Sequence, residues 1–199
     1  MATEDCLKKR IEEAEARVRA AIARSMVPED PIHAEDTLLI LQELCPGADT
    51  ALKLAALGHD IERAMPWGIR INRDHFKDYD QFKKAHAENS SRIIRGILIK
   101  CHLPTPLVEE VARLVLHHET GGFREADILK DADSLSFFRV NLPLFCQREP
   151  EQRVWDRIRW GISRLSKDGM AYLREMAEKD DYLRDMLKDV LKAIEGCHE

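Results

Sequence analysis

The sequence predicts an all-α protein, a single compact helical bundle with additional C-terminal helices. Apolar residues recur at spacings of three and four in one segment after another, period-two alternation is scarce, and capping residues, prolines and glycines mark where helices start and stop. Cys6 to Met26 carries Leu7, Ile11, Ala14, Val18 and Ile22 on one narrow face among Glu, Arg and Lys, so this helix packs on the core or on a partner. Asp30 before Pro31 joins an N-cap acceptor to a fixed φ at the first helical position, and it launches a helix through His33 to Leu44 that stops at Pro46-Gly47. Asp49 caps a third helix, Thr50 to about Arg63, apolar until it reaches His59-Asp60.

Met65 to Asp80 holds Pro66, Gly68 and clustered charges, and it reads as a long loop inserted between two helices. A fourth helix, Asp80 to Lys100, aligns Phe82, His86, Asn89, Ile93 and Ile97, which points His86 coreward. Thr105-Pro106 opens a fifth helix whose stripe Leu107, Val111, Leu114 leads to His118, before Gly121-Gly122 ends it. Asp127 to about Arg139 forms a sixth helix carrying Asp133, and Pro143 interrupts the next segment. Beyond Pro150 two amphipathic helices are expected within 150–196, one through Val154, Ile158, Ile162 and Leu165, the other through Leu183, Met186, Leu187, Val190, Leu191 and Ile194, separated near Asp168-Gly169.

A chain of 199 residues is expected to be one domain, 1–199, and 44% hydrophobic with 34% charged residues is the balance of a folded, helix-rich protein. The longest stretches without a charged residue, 101–108 and 140–147, are 8 residues long, far short of the roughly 18 that span a bilayer. Charges throughout Met1 to Arg19 leave no apolar segment of a secretion signal. The expectation is a cytoplasmic protein without a membrane partner. A net charge of -5 gives no strong nucleic-acid signal. The five cysteines, Cys6, Cys45, Cys101, Cys146 and Cys197, form no CxxC pair and read as reduced thiols.

The polar residues set on otherwise apolar faces are His33, His59, Asp60, His86, His117, His118 and Asp133. Imidazole nitrogen and carboxylate oxygen are ligands for divalent first-row metals, and ends of several helices can converge on one point in a bundle, so a mixed His/Asp metal site is the natural reading. His75, His102 and His198 lack this setting.

The order of these residues resembles the HD superfamily of metal-dependent phosphohydrolases. GHDIER at 58–63 is similar to the family's His-Asp doublet, LHHETGG at 116–122 to the double-histidine segment of dinuclear members, and KDADSL at 130–135 to their closing segment. The resemblance covers residues 30–140, with the helix at 6–26 and the helices at 150–196 packed on that core. It implies an HD-type bundle in which His33, His59, Asp60 and Asp133 bind one ion, while Asp60 bridges to a second held by His86, His117 and His118. The ions would be Mn, Fe, Co, Zn or Ni. Thr120-Gly121-Gly122-Phe123 departs from the Gly-Tyr-Pro motif of the cyclic-dinucleotide phosphodiesterases. Small bacterial-type nucleotidases and dinucleoside polyphosphate hydrolases of about this length are closer in architecture.

The activity so implied is hydrolysis of a nucleotide or other small phosphate ester or anhydride by metal-activated water, with Asp60 and Arg63 catalytic and Arg63, Arg70, Arg73 and Lys83 contacting substrate. Bland readings stand beside these roles. Arg63 serves equally as a helix C-terminal charge, Lys83 and Lys84 as a solvated helix face, and Asp131 either accepts from a ligand histidine or caps its helix. A sensor or scaffold that keeps metal and binds nucleotide without turnover is the alternative function. The stripe from Leu7 to Ile22 and the final helix are compatible with a homodimer.

Overall fold

In the computed structural model, which describes residues 2–195, all regular structure is helical, and Trp67 and Arg70 form the one isolated β-bridge among the described residues. The helices are α1 (Ala2–Ile22), α2 (Asp30–Leu44), α3 (Thr50–Gly58), α4 (Tyr79–Lys100), α5 (Thr105–His117), α6 (Arg124–Ser136), α7 (Leu142–Arg148), α8 (Glu151–Ser163), α9 (Lys167–Lys179) and α10 (Asp181–Glu195). Cys197 and His198, like the side chains of Val190, Leu191 and Ile194, lie outside the described residues. No helix among the described residues is long and apolar enough to cross a membrane.

The core is built where the apolar stripes meet. Helices α4 and α5 pack along one another, α2 lies against α3 and α6, and α3 contacts α5. The α1 stripe is spent on this core: Ala14 and Val18 are fully buried, and the helix packs on α3 and α4. It ends at Ile22, short of the expected Met26, because the chain turns through Ser25 and Pro28, with Ser25 Oγ donating to Asp30 Oδ2 at 2.5 Å. Asp30 therefore does not cap α2. Glu29 takes the N-cap position and Pro31 falls in the first turn.

Three further departures bear on the site. The third helix stops at Gly58, His59 and Asp60 form a turn, and a 3₁₀ turn runs over Ile61–Ala64. Gly58 permits close approach to α4, since a Cβ there would collide with Ile94 Cδ1. The sixth helix ends at Ser136 and opens into a π-helical stretch, Phe137–Asn141, in which Leu142 N–H reaches Phe137 O. Pro143 supplies the cause: its ring crowds the carbonyl four residues earlier and offers no N–H to it, and the wider turn relieves both problems. The C-terminal region forms three helices where two were expected: the first break falls at 164–166, so that Asp168-Gly169 lie inside the first turn of α9, and a second, at Asp180, separates α9 from α10.

Candidate metal centre and its cleft

His33 from α2, His59 and Asp60 from the turn after α3, His86 from α4, His118 at the end of α5 and Asp133 from α6 meet at one point. The four histidines are almost fully buried. Their rings form an edge-on series, with centroids 5.1 Å apart for His33 and His59, 5.3 Å for His59 and His118, and 5.6 Å for His86 and His118.

Each Nδ1 is already committed. His59 Nδ1 donates to Ala56 O at 2.9 Å and His118 Nδ1 to Val115 O at 2.7 Å, and a carbonyl can only accept. His86 Nδ1 donates to Glu62 Oε2 at 2.7 Å. Ser136 Oγ gives its proton to His33 O, so it accepts from His33 Nδ1 at 2.8 Å. In the neutral rings all four Nε2 atoms are thereby left with their lone pairs facing the centre, the arrangement that outer partners impose on ligand histidines.

The carboxylates divide the centre in two. His33 and His59 Nε2 lie 3.2 Å from one another, and Asp133 Oδ1 lies 3.2 and 3.4 Å from them. Asp60 Oδ2 faces this pair at 4.0 and 3.8 Å, while its Oδ1 faces His86 Nε2 at 2.8 Å and His118 Nε2 at 3.9 Å. Two groups, His33-His59-Asp60 and Asp60-His86-His118, each bring ligand atoms within 4.8 Å of one another, and Asp60 is common to both. His118 Nε2 is buried and has no hydrogen-bond partner. Unshared lone pairs gathered in a buried site repel unless a cation or proton stands among them, so the donor set fits divalent metal.

Charge follows the same geometry. Burial opposes ionisation of Asp60, but His59, Arg63 and His86 outweigh it and hold the carboxyl well below its usual range. Asp133 is held down in the same way, chiefly by Arg164. Burial also disfavours the His59 cation, yet the Asp60 and Asp133 carboxylates push its pKa up to about 9. His118 is pushed down by burial, with His59 and His86 acting in the same direction, against the Glu119 carboxylate beside it.

His117 is not brought to the centre. It is half-exposed, with its ring edge-on to Phe123 at 5.4 Å, because consecutive residues at a helix end point in different directions. Glu119 lies inward instead, its Oε1 at 3.2 Å from His118 Nε2, ion-paired with Lys83 and, at 3.0 Å, with Arg164. Glu119 continues the Val111, Val115 spacing of four, a signal available in the sequence. Glu62 and Arg164 carry no such local signal. Asp131 accepts from Ser166 N at 2.8 Å and from Ser166 Oγ, so it anchors the start of α9 rather than a ligand histidine.

The centre floors a cleft of about 480 Å³ whose lining includes His33, Asp60, His86 and Asp133. Arg63, Arg70, Arg73 and Lys83 all line it, whereas Lys84 is exposed and does not. Arg63 is clamped between Asp60 Oδ2 at 2.9 Å and Asp30 Oδ1 at 2.8 Å. The inserted loop covers one wall, Arg70 lying over the Trp67 ring at 5.6 Å and Arg73 over Tyr79 at 5.5 Å. Phe137, Arg148 and Arg157, from the C-terminal third of the chain, also line the cleft.

Residues 8–186 match the model of a protein family described as Domain of unknown function (DUF4202). No curated protein and no solved structure matches the chain.

Proposed function

We propose that this chain, which belongs to the DUF4202 family, is a metal-dependent phosphohydrolase acting on a nucleotide or another small phosphate ester or anhydride. The observation that carries the reading is the convergence of four fixed Nε2 atoms on the two oxygens of Asp60 at the floor of a cleft walled by cations. The residue order that resembles the HD superfamily supports it. His33, His59, Asp60 and Asp133 would hold one ion, and Asp60, His86 and His118 a second.

Divalent metal in such a site supplies Lewis acidity toward a phosphoryl oxygen and acidifies water. The chain's own groups do the rest. Asp60 stays ionised and keeps one oxygen toward each half of the centre. Glu62 fixes the His86 ring through Nδ1, as Ser136 fixes His33. Arg63, immobilised by Asp30 and Asp60, still has unused N–H groups at the cleft surface, where they would offset charge on the phosphoryl oxygens. Trp67, Tyr79, Phe82 and Phe145 give the cleft flat apolar surface on which a base can rest.

The test is turnover by protein stripped of metal and resupplied separately with Mn, Fe, Co, Zn or Ni, read as phosphate or pyrophosphate released from a panel of nucleotides and simple phosphate esters. Hydrolysis of at least one compound, lost in folded Asp60→Ala, is expected. Metal binding without turnover on any compound would instead favour a binding role.

A further inference from the structure

Charge on the α8 wall of the cleft does not balance. Trp160 is approached by three cations, Lys83 at 5.4 Å, Arg164 at 4.6 Å and Arg157 at 4.4 Å from its ring centroid. Lys83 pairs with Glu119, and Arg164 with Glu119 and Asp133, so two cations meet two carboxylates. Arg157 is left over. Among the described residues it makes no ion pair, and its neighbours are the faces of Phe137, at 3.8 Å, and Trp160. Burial pushes its guanidinium down from the usual value.

Of the other cations of the cleft, Lys83 is held by Glu119, and Arg70, on the inserted loop, lies over the Trp67 ring with no ion pair among the described residues. Arg63 is held by Asp30 and Asp60, and Arg148 by Glu29. Arg73 is exposed on the inserted loop and donates to Phe76 O. Arg157 alone combines an aromatic clamp on a helix, partial removal from water and a missing counter-charge, and it lines the same cleft as His33, Asp60 and Asp133. Aromatic faces orient a guanidinium and leave its in-plane N–H groups free, which suits planar recognition of an oxyanion. Gly161 helps to hold the wall in place, since a Cβ there would lie 2.9 Å from Phe138 Cζ.

We propose that Arg157 is the centre of an oxyanion subsite on the α8 wall, binding a phosphate group of the ligand in the cleft that Arg63 also lines. The subsite rests on the phosphohydrolase reading only for the identity of the anion as phosphate. The C-terminal helices then contribute to ligand binding as well as to the fold.

Calorimetric titration of the metal-loaded full chain with inorganic phosphate and with pyrophosphate tests this, using wild type, Arg157→Met and Arg157→Lys. Loss of a charge-assisted hydrogen-bond pair weakens binding by about tenfold or more, so Arg157→Met should raise Kd by that factor while metal content stays unchanged. Arg157→Lys should lie between the two. Thermal stability of Arg157→Met should not fall, because an unmatched charge has been removed. Wild-type protein that binds neither anion, or an unchanged Kd in folded Arg157→Met, overturns the subsite. So does a lowered Tm with unchanged Kd, which would make Arg157 a structural clamp. If phosphate binding depends on Arg157 but no compound is hydrolysed, the subsite stands and the catalytic reading fails.

Discussion

Arg164 Nη2 lies 3.1 Å from Asp133 Oδ2, and this contact leaves Asp133 Oδ1 as the oxygen that faces His33 and His59. The arginine sits just past α8, outside the segment that carries the family resemblance, yet it fixes which carboxylate oxygen enters the centre. Its second partner is Glu119 Oε2 at 3.0 Å, and it also donates to His118 O at 3.2 Å. One side chain therefore braces both halves of the site.

Arg164→Met should be strongly destabilising without metal, because buried Asp133 loses its arginine partner and buried Glu119 keeps only Lys83. Removing one partner of a buried pair costs about 3–5 kcal/mol. Saturating Zn or Mn should return more stability to the variant than to wild type, since the ion supplies part of the missing positive charge. Urea denaturation with and without metal measures both effects. A metal-free variant as stable as wild type would show that these ion pairs are energetically neutral.

His86 and His117 separate the ligand set drawn from the sequence from the one the fold assembles. His86 Nε2 lies 2.8 Å from Asp60 Oδ1, whereas the His117 ring lies edge-on to Phe123. His86→Ala should lose the second ion, and His117→Ala should keep the wild-type metal content with little change in turnover. Metal analysis after saturation and gentle desalting reads the difference. Equal losses in both variants would return His117 to the centre.

The sequence made legible the residues whose direction local periodicity dictates. His86 shares a face with Phe82, Asn89 and Ile93, and the stripe Leu107, Val111, Leu114 aims His118 rather than His117 inward. Helix ends that depend on packing were less legible. Gly58, at the end of α3, approaches Ile94 of α4 too closely for a Cβ, a demand set by packing, and the π-helical stretch comes from Pro143 acting within a chain that continues as helix. Least legible were the charged partners from distant elements. Nothing local to Arg164 or Glu62 says that one will meet Asp133 from α6 and the other His86 from α4, although Arg157, Trp160 and Arg164 do succeed one another at spacings of three and four on one side of α8 and its end.

The pH response should separate proton from metal at His59. In the metal-free protein burial works against the imidazolium, but Asp60 and Asp133 raise the pKa to about 9 from an ordinary value of 6.5. A folded-state pKa above the unfolded one stabilises the fold fully below about pH 6.5, and that contribution disappears as pH rises through about 9. Asp60 and Asp133 are held well below their usual range and stay ionised throughout this window. Metal requires the Nε2 that the proton occupies, so binding expels that proton and strengthens as pH rises. Thermal denaturation of metal-free protein between about pH 6.5 and 8.5 should therefore show a falling Tm, while the Tm increase on adding saturating Mn grows over the same interval. In His59→Ala both trends should weaken, with His86, which Asp60 and Glu62 raise against burial, supplying what remains. A metal-free Tm that rises with pH, or a metal-induced shift that shrinks, would mean that His59 is neutral in the folded protein and that its lone pair is not held in competition between proton and ion.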